Sequence, residues 1–543
     1  MEGNVSALNE SVPRDSRTSE TKGRHGNRRP FPGIFGPACL FAFMLLFRLD
    51  AAPLYILDEV KNAQCAREMW QRGDPIVPTF NGELRTDKPV LHYLFMMSSY
   101  ALFGFSPFAA RIFSALFGIA CLLTLHGAVK KHLDEKTATL SSWVLILSSH
   151  WTFEFRLAVP DPYLIFFSTA GLLFGFSWLE YHGRRHLILM SLSLAIAVLS
   201  KGPVAVVIPG IALVSWAIAR RRWRAFRLAD MAVAALVFTG VALPWYVAVH
   251  LSTDGAWTRE FLMKHNIGRF SNAMEGHDGF FALPALFLAI GLLPVSTLSW
   301  EAYRMRTRLF AAPLLAFSLL VVFLHLLVYG LSATKLPNYA MPAYPFAAII
   351  LGRCVLLLGP DGVRKVTRNV ERALLTMLWL LPVAGCIALS YESALKDIRW
   401  TPLWLLAAPA TASILTLVRR SGISMHGYAP IAAGWFVFNS VALHLLYPNI
   451  YNRNPVSRME GLVRSASAVA AFGVYNPAFN MVLDTPIRRF DSPDSLSDWL
   501  DAKPDAMVVA RQSAADTLGK IGLRVKGAQH DLFEKPTTVV LGR

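Results

Sequence analysis

Charge is scarce in this 543-residue chain: Asp, Glu, Lys and Arg make up only 16% of it, against 54% hydrophobic residues. A soluble domain usually carries about 25% charged residues, so an ordinary globular enzyme is excluded first. Cysteine is sparse too. The five are Cys39, Cys65, Cys121, Cys354 and Cys386, none of them in a CxxC pair, and all but Cys65 fall in apolar runs. No disulfide framework is indicated. The chain has no P-loop, Rossmann fingerprint, HExxH or nucleophile elbow, which argues against a nucleotide-driven enzyme. Repeats of 20 to 50 residues are absent, as are low-complexity tracts beyond the N-terminal tail.

Long apolar runs are what the chain has instead. Fourteen occur, at 34–49, 90–105, 107–129, 137–157, 161–180, 186–200, 203–219, 229–250, 280–300, 311–331, 340–358, 373–391, 402–418 and 428–446. Runs near 20 residues suffice to cross a hydrocarbon core of roughly 30 Å as helices. The net charge of +17 sits in short loops between them. It reads as topology signal and anionic-lipid contact, and nucleic acid is not expected as a partner.

Sidedness follows from those loops. The polar stretch 1–33, with Arg14, Arg17, Lys22, Arg24, Arg28 and Arg29, belongs in the cytoplasm. The first span lacks a small-residue cleavage signature and reads as an uncleaved anchor. If 90–105 is an interfacial helix, thirteen spans remain and every even-numbered connection is basic, including the Arg220–Arg227 cluster. Counting 90–105 as a span would put that cluster outside, against the positive-inside rule.

The expectation is an all-α polytopic membrane protein of about thirteen transmembrane helices, residues 34–446. A small periplasmic α/β domain follows at 447–543. There the tail turns polar, with β-rich runs at Ala468–Tyr475, Ala506–Ala510 and Thr538–Leu541, and helix-like stretches at Ser495–Leu500 and Ser513–Lys520.

The first outside loop, 50–106, carries the densest chemistry. Asp58 and Glu59 follow the first span, and Val60, Ala63, Ala66 and Trp70 recur at helical spacing opposite Lys61, Gln64, Glu68 and Arg72. That pattern predicts an amphipathic helix along the interface, stopped at Gly73-Asp74-Pro75. A turn at Asn81-Gly82 precedes Asp87-Lys88-Pro89. A lipid-phosphate substrate presents its headgroup at this depth, where a cation can hold the phosphate and a carboxylate can act as base or stabilise charge at an anomeric centre. The alternative, for any single pair, is a solvated loop. Further polar groups fall on the same side. Glu154 and Arg156 precede Asp161-Pro162, where Asp161 reads equally as an active acid or a helix cap. Lys264-His265-Asn266, Arg269 and His277 form another set. Lys335 reads as a phosphate ligand or an interfacial anchor.

As an ordered set these motifs resemble the GT-C membrane glycosyltransferases, in the branch of the lipid A aminoarabinose transferases and the protein O-mannosyltransferase-like enzymes. The resemblance is carried by Leu57-Asp58-Glu59, Ala66-Arg67-Glu68-Met69, Gly73-Asp74, Asn81-Gly82, Asp87-Lys88-Pro89, Arg111, Asp161-Pro162, Ser200-Lys201-Gly202-Pro203, Pro244-Trp245-Tyr246, His265-Asn266 with Arg269-Phe270, and Lys335-Leu336-Pro337 with Tyr339. It covers about 34–350 well and the tail more loosely.

The resemblance implies an inverting transferase using a polyprenyl-phosphate sugar, in the bacterial inner membrane, with its active site and tail periplasmic. Asp58 would be the key carboxylate and Asp161 the second acid, with Glu59 beside them. Lys88 would bind the donor phosphate, with Lys61, Lys335 and Arg269 as further phosphate ligands. Lys61 stands where the family often has arginine, so a point charge replaces a bidentate fork. Asp87 stands where glutamate is frequent. Asp87 and His265 are candidate ligands for a divalent metal ion, but two ligands are too few to commit to one. The acceptor would be lipid A, another glycolipid, a polysaccharide or a protein hydroxyl, and a monomer is expected. A transporter or flippase fits the spans in general, but it would show internal repeats and midplane polar groups. A structural assembly subunit would not need acids and cations gathered at one depth.

Overall fold

A computed structural model describes residues 33–268, 279–421, 427–483 and 485–543. Arg269 and His277 lie outside these described residues. Helices dominate, and among the described residues eight are long and apolar enough to cross a membrane: Pro107–His132, Asp161–Tyr181, Leu228–Ser252, Pro313–Leu331, Pro337–Gly359, Asn369–Tyr391, Thr401–Arg420 and Ala429–Tyr451. The pair Leu283–Gly291 and Val295–Arg304, bent by 113°, makes a ninth if counted as one span.

Length and composition therefore give fewer crossings than the thirteen expected, because several apolar runs form short, broken or less apolar helices. Helix α1, Phe35–Leu46, has 12 residues, about 18 Å at 1.5 Å per residue. Its exposed carbonyl end is completed by a distant side chain: Arg156 donates to the carbonyls of Met44, Leu45, Phe47 and Arg48 at 2.8 to 3.1 Å. A cation at a helix C-terminus satisfies orphan acceptors and opposes the dipole.

Helix α2, Leu57–Arg72, begins with Asp58 and Glu59 in its first turn and ends at Gly73. Gly73 has φ 65°, and Asp74 donates its N–H back to the Met69 carbonyl at 3.1 Å. This is the left-handed stop that glycine provides. The hairpin β1, Thr79–Phe80, and β2, Glu83–Leu84, turns through Asn81 at φ 55° and Gly82 at φ 80°, as the Asn-Gly pair predicts. Helix α3, Leu91–Phe103, has 13 residues and stops at Gly104, too short to cross.

Next come α4, Pro107–His132, and α5, Glu135–Leu147. Ser148 ends α5 and caps the short α6, Ser149–Glu154, accepting from the Trp151 N–H at 3.2 Å. Helices α7, Asp161–Tyr181, α8, Arg184–Lys201, α9, Val204–Ala219, and α10, Leu228–Ser252, follow.

The last strands form one five-stranded sheet in the order β4-β3-β5-β7-β6. They are β3, Val469–Phe472, β4, Arg488–Phe490, β5, Met507–Arg511, β6, Arg524–His530, and β7, Thr537–Gly542. Strands β3, β4 and β5 run parallel, and β7 pairs antiparallel with β5 and β6. The expected strands at 468–475, 506–510 and 538–541 match β3, β5 and β7, while β4 and β6 were not expected. The last apolar helical stretch runs to Tyr451.

Candidate functional site

The start of the loop 50–106 is held by a buried ion pair. Arg111 on α4 donates from Nε and Nη2 to both oxygens of Glu59, at 2.8 and 2.9 Å. Its other contacts are the carbonyls of Leu49, Ala52 and Pro53. Glu59 also accepts the Ala158 N–H at 2.8 Å. Both oxygens of Glu59 are thus committed and the residue has no exposed surface. Its structural part is to fix the register of α2, so that Asp58, its neighbour, is presented at the exposed face.

The polar side of α2 is not solvated, contrary to the interfacial helix expected. Asn62, Gln64, Arg67 and Glu68 are buried, while Trp70 is 41% exposed. The hairpin and the C-terminal sheet region cover that side. Glu68 accepts from the Asn81 N–H at 2.7 Å, the Gly82 N–H at 3.2 Å, the Thr79 hydroxyl at 2.7 Å and the Gln64 amide at 3.0 Å. Cys65 sits in the same core, where burial pushes its thiol up to about 12, too high for a nucleophile.

Arg85, which sequence reasoning passed over, organises the next segment. Its Nη2 donates to the Asn62 side-chain oxygen at 3.0 Å and pairs with Asp87 at 2.9 Å. Its carbonyl accepts from the Trp257 indole at 2.9 Å. Trp257 in turn stacks on Phe261 and meets Trp245 of α10 edge-on. This fixes Asp87 and Lys88 against the helical segment Phe261–Gly268. Burial acts to raise the Asp87 carboxyl, but Arg85 and Lys88, with His265 adding to them, hold it below the usual carboxylate range.

A cavity of about 140 Å³ results, lined by Asp87, Lys88, Lys201, His265, Asn266 and Tyr339 among others. His265 Nε2 lies 3.4 Å from the Thr86 hydroxyl. Lys335 is buried rather than a surface anchor, and its ammonium donates to the carbonyl of Ser332, a wall residue, at 2.7 Å. Lys201 brings in the acid: its Nζ lies 2.6 Å from Asp161 Oδ1 and 5.1 Å over the Tyr339 ring. No side chain caps the start of α7, so Asp161 serves Lys201 rather than its own helix. Glu154, buried at the end of α6, lies in the field of Asp161, Lys201, Asp58 and Glu59.

The structure thus brings together Asp87, Lys88, His265 and, through Lys201 and Ser332, Asp161 and Lys335. It sets Lys61 elsewhere. One turn after Asp58, Lys61 lines a separate cleft against the C-terminal sheet. Lys201 was legible only as part of Ser-Lys-Gly-Pro, since a lysine at a helix end is ordinarily explained by the dipole. For a metal the fit is poor. Among the described residues no group of three His, Cys, Asp or Glu converges, and Asp87 is already bound to Arg85.

Residues 41–258 match the model of the dolichyl-phosphate-mannose-protein mannosyltransferase family. An uncharacterised protein of Aquifex aeolicus is 31% identical over 306 residues, 54% of this chain and 67% of that one. The fold superposes on the crystal structure of ArnT from Cupriavidus metallidurans bound to undecaprenyl phosphate with a TM-score of 0.77 at 18% identity, covering 93% of this chain and 96% of that one. The chain shares the fold of that ArnT. It is also similar to the undecaprenyl phosphate-alpha-4-amino-4-deoxy-L-arabinose arabinosyl transferase of Edwardsiella ictaluri, 29% identical over 61% of this chain, and spans 61% of that protein's length. The matched stretch 41–258 contains Asp58, Lys88, Asp161 and Lys201, and stops short of His265 and Lys335.

Proposed function

We propose that the protein is an inverting glycosyltransferase that moves a sugar from a polyprenyl-phosphate donor to lipid A or another acceptor at the periplasmic face. The observation that carries this reading is the convergence of Lys88 and Lys201 on one small cavity, beside the paired acid Asp161. Two ammonium groups in a confined, half-dry space suit a phosphate monoester leaving group. Lys88 holds the donor phosphate, with Lys335 behind Ser332 and Arg269 as further candidates.

In the reaction, an acceptor oxygen attacks the anomeric carbon and the carbon–oxygen bond to phosphate breaks. Polyprenyl phosphate leaves with the bonding electrons, and its growing charge is stabilised by the lysines. If the acceptor is a phosphate, the nucleophile is already anionic. If it is a hydroxyl, as in transfer to Ser or Thr, Asp58 takes the proton. Asp161 keeps Lys201 charged and aimed.

Thirteen crossings remain the proposed topology. The four shorter apolar elements, α1, α5 with α6, α8 and α9, added to the nine of sufficient length reach that number, and the basic loops then fall inside. This topology leaves the cavity and the C-terminal sheet outside.

The test is mass spectrometry of lipid A and polyprenyl lipids from a deletion strain. A sugar missing from lipid A, with donor lipid accumulating, supports the reading, as does failure of Asp58→Asn to restore it. Normal product from Asp58→Asn in membranes containing native donor overturns the role of Asp58. Substrate movement across proteoliposomes without covalent product would point to a transporter instead.

A further inference from the structure

A second cleft, of about 340 Å³, opens between the start of α2 and the C-terminal sheet. On the sheet side it lies at a defined topological position. Strand β3 is flanked by β4 on one side and β5 on the other, all parallel, so the chain leaves β3 in one direction and later crosses to the other. In open α/β sheets, ligands bind in the crevice outside the carboxyl ends of strands at such a switch point. The cleft is lined there by the segment Gly473–Pro477, which leaves β3, and by Arg511, the last residue of β5. Arg489 of β4 adds to the same wall. The opposite wall is Tyr55, Leu57, Lys61 and Phe80 of the first outside loop. Leu57 and Lys61 bracket Asp58 on the same helix.

The wall is built and charged. Asn476, itself buried, donates to Asp531 at 3.0 Å and reaches the Tyr55 hydroxyl at 3.5 Å. Arg511 is clamped by the fully buried Asp531 at 2.5 Å and by the Thr538 hydroxyl at 2.9 Å. Arg489 pairs with the exposed Asp491 at 2.9 Å. Neither aspartate lines the cleft, and Lys61 makes no ion pair among the described residues. Three cations therefore face the space against one carboxylate, Glu534, alongside the rings of Tyr55, Phe80 and Tyr475. Aromatic faces with cations and hydrogen-bonding groups suit a sugar that carries negative charge.

We propose that this cleft holds an anionic saccharide, a sugar bearing a phosphate or carboxylate, and that this sugar is part of the acceptor. The assignment rests on the transferase reading, with Asp58 on the helix turn whose Leu57 and Lys61 line this cleft. It gives the C-terminal sheet a substrate-binding task and turns Lys61 toward the acceptor.

The experiment uses the full-length protein in detergent and titrates three probes: a hexose 1-phosphate, the corresponding methyl hexoside and inorganic phosphate. The hexose 1-phosphate is expected to bind at least tenfold more tightly than either other probe. Arg489→Gln and Lys61→Gln should each weaken it about tenfold, the loss of one charge-assisted contact. Asp58→Asn should bind it as the native protein does. In transfer assays the probe should raise the KM for acceptor and leave the KM for donor unchanged. Equal binding of the methyl hexoside, equal binding of inorganic phosphate, unchanged affinity in both variants, or competition with donor would each overturn the proposal. If the native protein transfers no sugar yet the probe binds and both variants weaken it, the saccharide site stands and the transferase reading fails.

Discussion

The side-chain amide of Asn81 pairs with the backbone of Ile487, 406 residues away. Its Nδ2 donates to the Ile487 carbonyl at 2.9 Å, and its Oδ1 accepts the Ile487 N–H at 2.7 Å. Asn480 donates to the same oxygen at 2.8 Å. The hairpin turn that sequence identifies as a local feature is therefore also the clamp between the first loop and the C-terminal sheet region.

Asn81→Gly keeps the backbone conformation at φ 55° and removes the clamp, leaving the Ile487 N–H and carbonyl and the Asn480 amide without these partners. A loss of about 2 kcal/mol is expected. Asn81→Ala should cost more, because alanine is also strained at positive φ. Thermal unfolding in detergent should rank native, then glycine, then alanine, and limited proteolysis should release the tail earlier in both variants. Equal stability of all three would refute the clamp.

Arg111 is expected not to tolerate lysine. A lysine keeps the charge but loses the fork that engages both oxygens of Glu59 and three loop carbonyls. Breaking a buried pair of this kind typically costs about 3–5 kcal/mol. Arg111→Lys and Glu59→Gln should both lower the unfolding temperature and the yield of folded protein. A Glu59→Gln protein of native stability that is catalytically dead would instead make Glu59 a direct participant.

Much of the site was legible because charge in an apolar chain is costly and therefore informative. Asp87, Lys88 and His265 stood out in loops on one side and do line one cavity. What stayed hidden depended on partners far along the chain. The burial of Gln64 and Glu68 requires elements that cover α2, the hairpin among them. Lys61 stood as a further phosphate ligand beside Lys88, yet it lines the cleft against the C-terminal sheet. Arg156 looked like a site residue and proves to complete the end of α1. Apolar periodicity located the spans but not their breaks, since the kink at Ser148 is a local capping choice within a continuous apolar run.

Asp87 gives a pH signature. Its folded carboxyl lies below the usual range because Arg85 and Lys88 outweigh its burial. The unfolded group titrates near 3.9. Its contribution to stability is thus present above about pH 3.9 and is lost as pH falls through the lower folded value. Unfolding temperatures measured from pH 7 to 3 should show native protein above Asp87→Asn at neutral pH, with the gap closing in acid. A gap independent of pH would mean that the asparagine acts through geometry alone.

The Asp161–Lys201 pair decides how the donor cavity works. At 2.6 Å, with the Tyr339 ring 5.1 Å from the ammonium, the two charges satisfy one another where neither would be stable alone. If Asp161 acts by keeping Lys201 charged and aimed at the leaving phosphate, removing either loses the same stabilisation. Asp161→Asn and Lys201→Met should then each lower kcat/KM for donor about a hundredfold or more, a cost of about 3 kcal/mol. The double variant should be no worse than the poorer single one, giving a coupling energy close to either single loss. If Asp161 instead touches the sugar while Lys201 holds phosphate, the two losses will add. Size-exclusion profiles of all four proteins separate a folding defect from a catalytic one, because only the latter leaves a monodisperse protein that binds donor yet turns it over slowly.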